Sequence, residues 1–182
     1  AYICSGFYYC KKNKLIAVRC SQEKITLDNM LYANRSANHG LIPRASYLAV
    51  NGHDPSLVAC QDYDFWLRVV EKFGAGFRIA EPTYVIHDEH GLERISESYN
   101  ALRGLKQFIR KHREKMTTNQ YNAQQLTLLI KEDETLSLKE LFKLCSIAIA
   151  WKAIKYYVMS NFKVIRSVEQ KMSYLISKKY TK

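Results

Sequence analysis

The chain has 182 residues, 47% of them hydrophobic, and a formal net charge of +11. That length and apolar content suit one domain with an appendage and exclude a disordered chain. No apolar run approaches the roughly 20 residues that a membrane-spanning helix needs; the longest, Leu144 to Trp151, is closed by Lys143 and Lys152.

The first residues, Ala1-Tyr2-Ile3-Cys4, carry no initiator Met and no basic leader. They read as the middle of a strand, so the chain is expected to begin inside a larger protein. Segment 1–20 alternates and is rich in aromatics, and Lys11-Lys12-Asn13-Lys14 breaks it like a hairpin turn. Segment 28–38 is mixed and polar. Residues 41–50 are apolar and expected to be partly extended, because Pro43 disfavours a helix just before it. Asn51-Gly52-His53-Asp54-Pro55 is a dense turn signal. Gln61 opens a helix in which Phe65, Trp66, Val69, Val70 and Phe73 recur at helical spacing, and Gly74 is a natural stop. Phe77–Ala80 and Thr83–His87 read as two short strands around Glu81-Pro82.

From Ser96 the pattern turns helical. Leu102, Leu105, Phe108 and Ile109 make one face, and 119–130 makes a second helix. Ser137 is a plausible N-cap, with Glu140 three residues on as in a capping box. From there Ile147, Trp151, Ile154, Val158, Phe162 and Ile165 are expected to share a face, with Lys152, Lys155, Lys163 and Arg166 opposite. The fold class is therefore α/β in the α+β sense, followed by an all-helical tail.

Five cysteines, Cys4, Cys10, Cys20, Cys60 and Cys145, include no Cys-x-x-Cys pair, which argues for reduced thiols rather than a metal or disulfide framework. Charge is uneven. Residues 1–99 hold 11 basic and 11 acidic side chains, whereas 100–182 hold 17 and 6, so the whole excess lies in the helical part. Such asymmetry points to an anionic surface as partner or to a merely solvated face.

The most informative block is Gly52-His53-Asp54-Pro55-Ser56-Leu57, then Gln61-Asp62-Tyr63-Asp64-Phe65-Trp66-Leu67-Arg68 and Gly74. With Tyr84-x-x-His87 and Arg94-Ile95-Ser96-x-Ser98, it resembles the second half of family-2 glycosyltransferases of the GT-A fold, closest to bacterial enzymes that build surface polysaccharides. The resemblance covers roughly residues 1–110. His53 stands where that family usually has Phe, and Gln61 where Glu is commoner. The family's nucleotide-binding strands and Asp-x-Asp metal motif are absent, and Asp62-Tyr63-Asp64 aligns with a later acidic motif.

The resemblance implies that Asp62 is the general base that takes the proton of an acceptor hydroxyl in an inverting transfer. Taken alone, a helix-capping aspartate is the simpler reading of Asp62. By the same resemblance Asp54, Asp64 and Arg94 are candidate substrate-binding residues. Asp64 reads equally as a partner of the helix dipole. His87 is the candidate metal ligand, with His90 as the neighbour that could replace it. The implied cofactor is a divalent ion, Mn or Mg, held mainly by a missing N-terminal half. Trp66 suits core packing at this spacing better than sugar stacking, and Arg68 suits pairing with an acid.

The expected organisation is an acceptor-side half over 1–98 and a basic helical extension over 99–182. The implied partners are a nucleotide sugar and a glycan or lipid-linked acceptor, with no nucleic acid. The expected location is cytoplasmic, with peripheral attachment to an anionic inner membrane face left open. The other reading is a non-catalytic module whose basic helices bind a membrane or a protein.

Overall fold

A computed structural model describes residues 1–11, 14–18, 22–36, 39–87, 99–146 and 149–161. The chain divides into two compact units, Ala1–Lys111 and His112–Lys182.

The first unit is built on a four-stranded sheet in the order β2-β1-β4-β3. β1 (Ile3–Lys11) and β2 (Lys14–Val18) form the expected antiparallel hairpin, with Lys11 opposite Lys14. β4 (Gly76–His87) pairs parallel to β1, and β3 (Glu23–Ile25) closes the far edge antiparallel to β4. The two short strands expected on either side of Glu81-Pro82 are thus one strand. Pro82 lies opposite Gly6, where the β1–β4 register shifts. A proline lacks the ladder donor, and an irregularity of this kind accommodates it.

Three helices complete the scaffold of the candidate site. α1 (Leu27–Tyr32) starts at a capping box between Thr26 and Asn29. α2 (Arg44–Ala49) corrects the extended expectation for 41–50. The extended part is confined to the start, where Leu41 forms an isolated bridge to Ile3 and Pro43 keeps ψ 136°. The proline rule restricts the residue before Pro43, whereas the ring's fixed φ is suited to starting a helix just after it. α3 (Gln61–Phe73) appears as expected, and Gly74 ends it at φ 85° with its N–H on the Val70 carbonyl.

The buried face of α3 supplies Phe65, Trp66, Leu67, Val69 and Val70 to the core. Trp66 stacks on Tyr2 at 4.4 Å between ring centroids, which settles its packing role. Burial also raises the Tyr2 phenol above its usual range. On the other side, Tyr63 stacks on Phe108 of α4 (Tyr99–His112) at 3.9 Å, and its hydroxyl donates to the Met30 carbonyl.

The second unit is helical. A 3-10 turn at Arg113–Lys115 precedes α5 (Thr118–Glu132), capped by a Thr117–Gln120 box. α6 (Leu138–Leu144) begins at the expected Ser137–Glu140 box. The helix does not continue, however. Cys145 is extended, and α7 spans Ala150–Asn161. The expected apolar face is also displaced. Trp151 is 79% exposed and Ile154 45%, while Ala153 is fully buried. The reason lies in the polar anchors of α7. The Tyr156 hydroxyl donates to the Leu129 and Glu134 carbonyls, and the Asn161 amide to that of Leu136. These bonds turn the small Ala153 inward. Ile147, Phe162, Lys163, Ile165 and Arg166 lie outside the described residues.

Among the described cysteines, Cys4, Cys10, Cys60 and Cys145 form no disulfide. Cys20 lies outside the described residues.

Candidate active site

Asp62 occupies the second position of α3. The residue before the helix, Cys60, sits in the left-handed region (φ 63°, ψ 20°) and offers no side-chain cap. The helix start is therefore served from within: the Asp62 carboxylate accepts from its own backbone N–H and from that of Tyr63. Asn34, in the segment after α1, adds a side-chain hydrogen bond. Asp62 is half-buried. Burial pushes its carboxyl above the ordinary carboxylate range, and these hydrogen bonds and the nearby His53 only partly offset it. Desolvation makes a carboxylate more basic, which is the direction a general base requires.

Two turns of α3 and one of α4 hold this position. Asp64 is fully buried, and its carboxylate takes Arg68 at 2.8 Å and Lys111 at 2.7 Å. Arg68 also donates to the Val50 carbonyl and, at 2.7 Å, to that of Gly52. Lys111 reaches Asp54 at 2.7 Å. Asp54 in turn accepts from the Ser56 backbone and hydroxyl. The Lys111 ammonium, followed by Ser56, holds the Asp54 carboxyl well below its usual range. Gln107 bonds both the Val58 N–H and the Ser56 carbonyl. The turn 50–58 is thus bolted to α3 and α4 by charge and amide contacts.

This geometry separates the sequence candidates. Asp62 is accessible and desolvated. Asp64 is closed inside an ion network, so contact with an acceptor would require Arg68 and Lys111 to release it. The expected acid partner of Arg68 is Asp64. Asp54 is half-buried and engaged by Lys111. His87 is exposed at the end of β4, opposite Cys10 in the sheet register. Arg94 and His90 lie outside the described residues. No group of three His, Cys, Asp or Glu among the described residues could hold a metal ion.

Asn34 and Lys111 have no signature in the sequence. They stand 28 residues before and 49 after Asp62, and only the tertiary fold brings them to α3. A second polar cluster was equally silent. Ser5 Oγ lies 2.9 Å from His39 Nε2 and 2.5 Å from Thr83 Oγ1, and the His39 ring packs tilted against Tyr84 at 3.8 Å between centroids. Burial lowers the basicity of His39.

No family model matches the chain, and no solved structure does. The chain is 32% identical over 94 residues to a protein of Escherichia coli (strain K12) named colanic acid biosynthesis glycosyl transferase WcaA, a name that is itself provisional. The match covers 52% of this chain and 34% of that protein, so the chain spans about a third of the relative's length. Over half of its residues, this chain is similar to part of a glycosyl transferase involved by name in polysaccharide biosynthesis.

Proposed function

We propose that the chain is the acceptor-side part of an inverting, family-2 type glycosyltransferase of the GT-A class, with Asp62 as its general base. The carrying observation is a half-buried carboxylate, raised in basicity by desolvation, at the head of a helix clamped to its neighbours. The likeness to the E. coli protein supports the reaction class. A nucleotide sugar would be the donor and a glycan or lipid-linked molecule the acceptor.

The acceptor hydroxyl loses its proton to Asp62 as its oxygen attacks the anomeric carbon, and the nucleoside diphosphate leaves with the bonding pair. Asn34 and the backbone N–H groups orient the carboxylate. His87 would contribute one ligand to a divalent ion whose other ligands lie beyond this chain; the ion would offset charge on the leaving diphosphate. An apolar groove lined by Tyr2, Ile3, Leu41, Ile42, Pro43 and Phe77 leaves Leu41 77% exposed, a surface suited to cover by further protein. That agrees with a donor half outside the chain.

The test is Asp62→Asn in the complete enzyme. Donor binding should persist while turnover falls by about a hundredfold or more. Near-normal transfer by the variant would remove Asp62 from the role. The 182-residue chain alone should show no tight binding of sugar nucleotides with manganese in calorimetry; micromolar binding would put the donor site in the wrong half.

A further inference from the structure

We propose that the outer face of α4 is a diphosphate-binding site, in which Arg103 and Arg110 each hold one phosphate group. The site lies outside the ion network around Asp64 and stands independently of the role of Asp62.

The residues of α4 divide into two faces. Ala101, Leu105, Phe108 and Ile109 are buried. At 3.6 residues per turn, Tyr99, Arg103, Lys106 and Arg110 fall within about 60° of arc on another face. All four are exposed. Close contacts fix which face looks outward. Gly104 lets the helix backbone approach the turn before α3, since a Cβ there would lie 2.6 Å from the Ala59 carbonyl oxygen. Phe108 stacks on Tyr63, and Gln107 bonds both the Val58 N–H and the Ser56 carbonyl. Lys111 reaches Asp54 and Asp64. A helix tied on this side cannot roll, so its arginines stand on a rigid support.

The two arginines line one hollow of about 280 Å³, together with Tyr99, Leu102, Lys106 and Gln107 among the described residues. Its charge has one sign. α4 contains no Asp or Glu, and neither Arg103 nor Arg110 has an ion-pair partner among the described residues. An anion is therefore the complementary ligand. The guanidinium groups narrow its class. Each is a planar fork that grips two oxygens of one phosphate. The two side chains leave the helix seven residues apart, about 10 Å along its axis, with Lys106 between them on the same stripe. A diphosphate offers two phosphate groups joined through one oxygen, one for each fork. A single carboxylate would leave one fork unused, and a flat bilayer surface does not fill a hollow.

The experiment is calorimetry of the 182-residue chain with inorganic pyrophosphate, without metal and at constant ionic strength. One pyrophosphate should bind, more tightly than inorganic phosphate. Arg103→Gln with Arg110→Gln should weaken it about tenfold or more. Arg103→Lys with Arg110→Lys keeps the charge, loses the forks and should also bind more weakly. Lys139→Gln with Lys143→Gln, in the second unit, and Asp62→Asn should each leave binding unchanged. No binding, or equal losses in the arginine and the Lys139/Lys143 variants, would overturn the site. Full binding by the lysine replacements would overturn the fork-by-fork contact. Arginine-dependent binding to phosphatidylglycerol vesicles without pyrophosphate binding would make the face a membrane contact and remove the diphosphate.

Discussion

The two units treat their charges in opposite ways. In the first, Asp54, Asp64, Arg68 and Lys111 close on one another around a fully buried carboxylate. In the second, residues 112–182 carry 13 basic and 6 acidic side chains, and described lysines such as Lys139, Lys143 and Lys155 are exposed. A closed network fixes geometry and leaves little for a partner. An open basic surface fixes little geometry and is available to one. We propose that the first unit supplies precision and the second attachment.

The largest expected effect tests that assignment at Asp64. Asp64→Ala would strand Arg68 in a mostly buried setting and break the link from Lys111 to α3. Breaking a buried ion pair costs about 3 kcal/mol or more. Hydrogen exchange should show protection lost in α3 and α4 and kept in α5 to α7. Equal loss in both units would break the comparison.

Next in size is attachment to an anionic membrane, which we propose for the second unit. Trp151 and Phe142 are each 79% exposed, and basic residues flank both. Each lysine near an anionic leaflet contributes about 1 kcal/mol. Co-sedimentation should occur with anionic vesicles, not with neutral ones, and weaken with salt. Lys152 donates to Thr127 at 3.0 Å, and burial lowers its ammonium's basicity. Lys152→Glu together with Lys155→Glu should weaken binding further. Indifference to both vesicle types at low salt would reduce this unit to a packing element.

A third test concerns what holds the second unit together. α5 and α6 begin at reciprocal caps, with Thr117 accepting from the Gln120 N–H at 3.3 Å and Ser137 from that of Glu140 at 3.2 Å. Thr117→Ala should cost about 1 kcal/mol in urea unfolding, confined to α5 and its neighbours.

The smallest effect is a pH slope. The folded-state carboxyl of Asp62 is raised, so the native state holds its proton over a window above the ordinary carboxylate range. Through that window Asp62 subtracts stability as pH rises. Asp54 and Glu140, both lowered, do the reverse, and their contribution is lost as pH falls through their folded-state values. Asp62→Asn should therefore remove the decline within that window and leave the rise owed to Asp54 and Glu140 at lower pH intact. A steeper decline in the variant would contradict the desolvation of Asp62.

Local signals in the sequence account for some elements and not others. The hairpin was legible because Lys11-Lys12-Asn13-Lys14 separates two alternating runs. α3 was legible because its apolar period meets a glycine at Gly74, and α6 because Ser137 and Glu140 have capping-box spacing. α1 was missed although Thr26 and Asn29 cap it, since Asn is a less familiar partner than Glu at that spacing. α2 was missed by applying the proline rule on the wrong side of Pro43. The face of α7 was misread because periodicity treats Trp151 as core, while tertiary hydrogen bonds from Tyr156 and Asn161 set the rotation. At the candidate site, the motif singled out Asp62 as the proposed base. Asn34 and Lys111 were not, because each reaches α3 from a distant part of the chain.

The parallel pairing of β1 with β4 has a kinetic consequence. Ile3 meets Phe77 and Cys10 meets His87, so the central pair of the sheet joins strands more than 70 residues apart. Non-local pairings of this kind slow folding, whereas local helical contacts form fast. During synthesis the β1–β2 hairpin must wait with one edge open until β4 has left the ribosome, and an open edge invites pairing with another chain. Ribosome-bound chains stopped before residue 76 should accordingly recruit chaperones strongly, and release them once β4 is available.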